Sequence, residues 1–121
     1  MNLVEIETGR VVVARLRVAE NAWQRAIGLL GHAGLADDEA LLLSPCGGVH
    51  TWGMRFPIDL LFLDREGRTL RVAPDVRPWR IRGPVRGART VVELPAGAAA
   101  RLHLQVGRRY RPDTQALGVG R

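Results

Sequence analysis

The residues best equipped for chemistry lie close together, in the stretch Cys46-Gly47-Gly48-Val49-His50-Thr51-Trp52-Gly53-Met54-Arg55-Phe56-Pro57-Ile58-Asp59. It holds the sole cysteine of the chain, one of three histidines and one of three tryptophans. A thiol within reach of an imidazole makes a nucleophile and its base, since the thiolate is the attacking species. Spacing works against that pairing here. Four residues of extended chain span about 13 Å, so Gly47-Gly48 would have to fold the chain back. The other reading of Cys46 is a small buried thiol after a turn. A zinc site needs three or four ligands. Cys46 and His50 supply two, and only the distant His32 or His103, or Asp59, would add more, so no metal and no cofactor are expected.

Asp59 opens a strongly apolar strand, where an unpaired charge is costly. Either it orients His50 or Arg25 at the edge of a pocket, or it accepts backbone N–H groups and braces the preceding loop. If the loop is extended, Gly48, His50, Trp52 and Met54 share one face. That face either lines a ligand cleft or joins the core.

The surrounding pattern predicts the elements that hold this stretch. Val4 and Ile6 alternate with Glu5 and Glu7, Thr8-Gly9 suits a tight turn, and Val12, Ala14, Leu16 and Val18 share a face. This predicts a β-hairpin. At Asn21 the period changes. Trp23, Ile27 and Leu30 form a helical stripe, Asn21 and Gln24 suit a capping box, and Gly31 is a natural stop. One short packed helix is therefore predicted over about residues 21–30, with Gly28 marking a close approach to another backbone. Ala40–Leu43 reads as a buried strand. Ile58, Leu60 and Phe62 occupy one face of the next strand and Leu61 and Leu63 the other, which predicts a central position. Asp64–Gly67 reads as a hairpin turn, followed by a strand with Leu70 and Val72. Residues 74–87, with three prolines and two glycines, read as a long surface loop in which Trp79-Arg80-Ile81 is an edge strand. Val91, Val92 and Leu94 form a strand closed by Pro95, Ala98–Leu104 a helical turn or two, and Val106–Tyr110 a last strand. The expected fold is mostly β: a compact single-domain sandwich or barrel of short strands with one packed helix. The domain covers 1–111, and residues 112–121 form a frayed tail.

Composition narrows the function classes. A chain of 121 residues with 46% apolar and 25% charged residues suits one folded domain and excludes disorder throughout. One cysteine excludes a disulfide framework. No apolar run approaches the roughly 20 residues that span a bilayer, and the acidic N-terminus does not look like a secretory signal. A free thiol then fits the cytoplasm. The net charge of +6 comes entirely from arginine, since lysine is absent, and it is unevenly placed: −3 over residues 1–64 and +9 over residues 65–121. Residues 65–89 alone carry eight arginines around Trp79, against Glu66 and Asp75. Arginines around an exposed aromatic suit an acidic partner or a nucleic acid, although no nucleic-acid-binding module pattern is present.

Three motifs, taken together, resemble the Domain of Unknown Function 192 family of small bacterial and archaeal proteins, over about residues 10–110. They are Arg25-Ala26-Ile27-Gly28-Leu29-Leu30, the segment Val49 to Asp59 running on to Asp64, and Val92-Glu93-Leu94-Pro95-Ala96-Gly97 followed by Val106-Gly107. The resemblance implies a mostly β fold with a short helix packed on it, and no established activity. Two departures stand out. His50-Thr51 replaces the family's Trp-Met pair, and Arg108 replaces an acidic residue. The residues recurring in the family's motifs are Arg25, Pro57, Asp59, Glu93 and Gly97. Arg25 with Asp59 or Glu93 would make an ion pair, as a structural lock or a ligand clamp.

Three functions follow as expectations. The first is a non-catalytic domain that binds a small anionic ligand or a protein partner at a cleft built by Arg25, His50, Thr51, Asp59 and the 74–87 loop with Trp79. The second is an enzyme using Cys46 and His50. The third is weak nucleic-acid binding through residues 65–89.

Overall fold

The computed structural model describes residues 1–19 and 35–114. The helix expected over 21–30, with Arg25 and Gly28, lies outside the described residues. Within them run ten strands and one helical turn: β1 (Asn2–Glu5), β2 (Val11–Val13), β3 (Arg15–Ala19), β4 (Glu39–Leu43), β5 (Val49–His50), β6 (Ile58–Leu63), β7 (Thr69–Val76), β8 (Ile81–Arg82), β9 (Thr90–Pro95), α1 (Ala98–Arg101) and β10 (Tyr110–Asp113).

The strands make a five-stranded sheet in the order β3-β4-β9-β6-β7, a three-stranded sheet in the order β10-β1-β2, and a β5-β8 ribbon. None closes on itself, so the architecture is an open sandwich-like domain and not a barrel. β6 is central, as its doubly apolar pattern demands, with β9 on one side and β7 on the other. Alternation along β6 feeds two cores. Leu61 and Leu63 join Leu3, Leu16, Val92, Leu94 and Tyr110, while Ile58, Leu60 and Phe62 join Leu41, Leu43, Val49, Met54 and Phe56. Each such side chain contributes about 1.5–3 kcal/mol when fully buried, so β6 is the beam on which the rest is mounted.

Three local expectations change. The early hairpin forms, with Leu3 opposite Val13, but its second arm breaks at Ala14. Beyond the break the chain enters the five-stranded sheet as β3, so Leu16 stays in the core while Val18 is exposed. β7 runs through Pro74 to Val76, into the segment expected to be a loop. A proline is tolerated there because β7 is an edge strand. The last strand begins at Tyr110, not at Val106, which is exposed. It pairs with β1 from Glu5↔Tyr110 to Asn2↔Asp113, so the chain is still in register past residue 111.

Candidate functional site: an aromatic face on the β5–β8 ribbon

Asp59 is wholly buried and fully occupied. One carboxylate oxygen accepts the N–H of Asp75 at 2.8 Å, and the other accepts those of Gly97 at 3.1 Å and Ala99 at 2.8 Å. Both partners are segments that need an acceptor. Asp75 sits in the irregular part of β7 with φ of 50°, and Gly97 and Ala99 open α1, whose first N–H groups have no partner within the helix. Asp59 accepts backbone N–H groups, as one of its two readings has it, but from β7 and the start of α1 and not from the preceding loop. The β6–β9 register also separates Asp59 from Glu93, the alternative partners expected for Arg25, which itself lies outside the described residues. Asp59 lies opposite Leu94 and Glu93 opposite Leu60, so Asp59 and Glu93 point to opposite faces of the sheet. Glu93 is buried, Pro57 is half-buried in the turn before β6, and Gly97 adopts a φ of 92° that favours glycine.

Thr51 is likewise buried and fully used. Its hydroxyl donates to the Arg77 carbonyl at 2.7 Å and accepts the Arg80 N–H at 2.8 Å. Its own N–H donates to the Arg80 carbonyl at 2.8 Å, and its carbonyl accepts the N–H of Trp79 at 3.1 Å and of Met54 at 3.2 Å. Thr51 therefore sets the path of residues 77–80. The Val49↔Arg82 and His50↔Ile81 pairs then complete the ribbon.

Alternation divides the ribbon into an inner and an outer side. Val49 and Thr51 face inward, whereas His50, Trp52, Trp79 and Ile81 are exposed. Trp52, Ile81 and Trp79 are 53%, 58% and 66% accessible, an unusual outlay of large apolar surface on one small element. The His50 and Trp52 rings lie 5.0 Å apart at 39°. Met54, expected on the same face, turns into the core, because the chain bends at Gly53 with a φ of 83°. Beside the rings runs a groove of about 300 Å³ lined by Gly48, Val49, His50, Trp52, Ile81, Arg82, Gly83 and Pro84. Gly48 and Gly83 allow the two chains to meet at its floor. A Cβ on Gly83 would come within 2.8 Å of the Gly47 carbonyl oxygen and 2.9 Å of the Gly48 Cα.

The segments that build this region, residues 44–58 and 76–90, contain six arginines and no acidic residue. Arg77 reaches Asp75 at 3.6 Å, and no described carboxylate lies within ion-pair distance of Arg55, Arg80, Arg82, Arg86 or Arg89. The opposite end of the 65–89 segment differs. Arg68 donates to the Gly107 carbonyl at 2.9 Å, and neighbouring Arg108 and Arg109 pair with Glu5 at 3.6 Å and Glu7 at 2.8 Å. The Arg109 hydrogen bonds lower the Glu7 pKa to about 2. Arg108 and Arg10 both lie 3.6 Å from the buried Glu5 carboxylate. A second hollow of about 370 Å³ near that end mixes Asp64 and Glu66 with Arg65 and Arg111.

The Cys46 thiol donates to the Gly48 carbonyl at 3.1 Å and packs against the second core, while His50 stands on the outer face beside Trp52. Among the described residues no group of three or more His, Cys, Asp or Glu is placed to hold a metal ion, and no helix is long and apolar enough to cross a membrane. The groove beside His50 is lined by Trp52, Ile81 and Arg82 and not by Asp59 or Thr51. Trp52 was legible as part of the period-two face with His50, and Ile81 as part of a short edge strand, but the pairing of that strand with β5 had no signal in the sequence.

The fold places the chain among small, open, mostly β domains. The profile of Domain of Unknown Function 192, described as an uncharacterized ACR, matches residues 4–112, and the chain belongs to that family. A UPF0127 protein of Pyrococcus abyssi is 31% identical over 102 residues, covering 77% of this chain and 81% of that one. A UPF0127 protein of Thermococcus sibiricus is 29% identical over 111 residues, covering 87% and 70%. The crystal structure of a protein of unknown function from Novosphingobium aromaticivorans shares the fold, with a TM-score of 0.76 at 20% identity over 92% of this chain and 82% of that one.

Proposed function

We propose that this protein is a non-catalytic binding module whose contact surface is the outer face of the β5–β8 ribbon, and that the ligand it takes there is anionic. The observation that carries the reading is Trp79. It has a φ of 65° and is 66% exposed. A left-handed backbone at a non-glycine residue costs about 1–2 kcal/mol and persists only where its surroundings impose it. Thr51 imposes it, yet the indole gains little burial in return. The cost is understandable if the ring is being presented to something.

Charge supports an anion, because the rings sit among arginines with no acidic residue in either segment. A groove of about 300 Å³ is at the lower limit for ligand sites and suits one flat ring. A small anionic molecule with such a ring therefore fits better than a large apolar one. A protein partner would have to bring an acidic surface to the same rings. The free thiol of Cys46 suits a cytoplasmic setting.

A thermal-shift screen of small anions, including nucleoside phosphates and aromatic carboxylates, tests this reading on the wild type and on His50→Ala and Trp52→Ala. The expected result is a stabilising hit that both variants lose while their own melting points stay near wild type. Hits retained by both variants would place the site elsewhere.

A further inference from the structure

Two separate ring platforms are exposed at the ribbon and the turn that leads into it. His50 and Trp52, 5.0 Å apart and tilted, leave no room for a flat group between them and act as one surface. Trp79 stands in the turn that leads into β8, two residues before Ile81, the partner of His50. The main chain between them is already committed. The Thr51 N–H is bonded to the Arg80 carbonyl, the Trp79 N–H to the Thr51 carbonyl and the Arg80 N–H to the Thr51 hydroxyl. β5 and β8 are two residues each. A peptide that adds to a sheet edge is held mainly by main-chain hydrogen bonds, and so short a ribbon has little edge to offer. What remains is a set of flat rings interspersed with guanidinium groups. That is the complement of a chain of flat bases joined by phosphates.

We infer that the occupant of the ribbon is a short segment of single-stranded nucleic acid. One base stacks on the His50–Trp52 platform, another stacks on Trp79, and three of the flanking arginines meet the phosphates. The inference rests on the ribbon being the contact surface and names what it contacts. A duplex keeps its bases stacked inward, out of reach of the rings, so it is the poorer ligand. Sequence preference is slight, because every base offers a π face. Neutralising three phosphates on a single strand gives a log–log salt slope of about −2.

The test is fluorescence anisotropy of a labelled twelve-nucleotide oligo(dT) with the full 121-residue chain, in low salt and across a salt series. A duplex of equal length and a labelled twelve-residue polyglutamate are run beside it. The expected result is that oligo(dT) binds more tightly than either, with a slope near −2, and that Trp79→Ala and Trp52→Ala each weaken it at least about fivefold while melting like the wild type. Equal binding of oligo(dT) and duplex, unchanged in both variants, would overturn the inference and leave only diffuse attraction. Tighter binding of polyglutamate, lost in the variants, would overturn the inference while the ribbon's role as contact surface stands. Absence of binding by all three at low salt would overturn both.

Discussion

The main-chain N–H of Trp79 donates to the carbonyl of Thr51 at 3.1 Å, and that bond holds an exposed indole on a left-handed backbone. Thr51 is buried and Trp79 is not, so the rigidity originates inside the protein and is expressed on its surface. Thr51→Val keeps the shape of the side chain and removes the hydroxyl, leaving the Arg80 N–H and the Arg77 carbonyl without their partner. We expect a loss of about 1–3 kcal/mol in urea unfolding, together with weaker binding at the ribbon.

Trp79→Gly makes the opposite separation. Glycine adopts a positive φ freely, so stability should be unchanged or raised by up to about 1 kcal/mol, while ligand affinity falls. Marked destabilisation with wild-type affinity would show that the indole is a structural part.

Asp59→Asn tests the brace. An amide cannot accept three N–H groups as the carboxylate does, so the substitution should cost about 2 kcal/mol or more. Ligand affinity of the folded fraction should be unaltered. Chemical denaturation and binding measured on the same sample distinguish this from a direct role in the site.

The sequence carried the central strand plainly, because Ile58–Leu63 is apolar on both faces. It also carried the His50–Trp52 face, because alternation survives in a two-residue strand. Other features were out of its reach for physical reasons. The bend at Ala14 transfers the chain between sheets without any glycine or proline to signal it. The strand at Thr69–Val76 passes through Pro74, which on sequence reads as a stop and is accommodated only because the strand lies at an edge. The donors that Asp59 meets could not be named from its neighbours, since they come from residues 16 to 40 positions away. Arg25 and Gly28 lie outside the described residues.

At Gly83 a side chain meets two obstacles. The φ is 88°, and a Cβ would approach backbone atoms of Gly47 and Gly48 at 2.8 and 2.9 Å. Gly83→Ala should therefore lose about 1–3 kcal/mol and open the floor of the groove, weakening binding even where the protein remains folded.

Glu7 provides a pH signature independent of the ribbon. Its hydrogen bonds with Arg109 lower its pKa from 4.5 to about 2. A depressed carboxylate pKa adds stability above the unfolded value, and that stability is lost as pH falls through the folded value. The urea midpoints of wild type and Glu7→Gln should differ above pH 4.5 and converge toward pH 2. A constant difference across that range would contradict the assignment.

The central claim, that the outer face of the ribbon is the contact surface, is tested most directly by ¹⁵N chemical-shift mapping of the full chain during titration with oligo(dT) or with a hit from the anion screen. The account predicts that the amide peaks of residues 49–52 and 79–84 and the indole N–H peaks of Trp52 and Trp79 move together with one Kd. Shifts concentrated instead at residues 64–68 and 107–111, the other arginine-rich surface, with the two indoles unmoved, would contradict it.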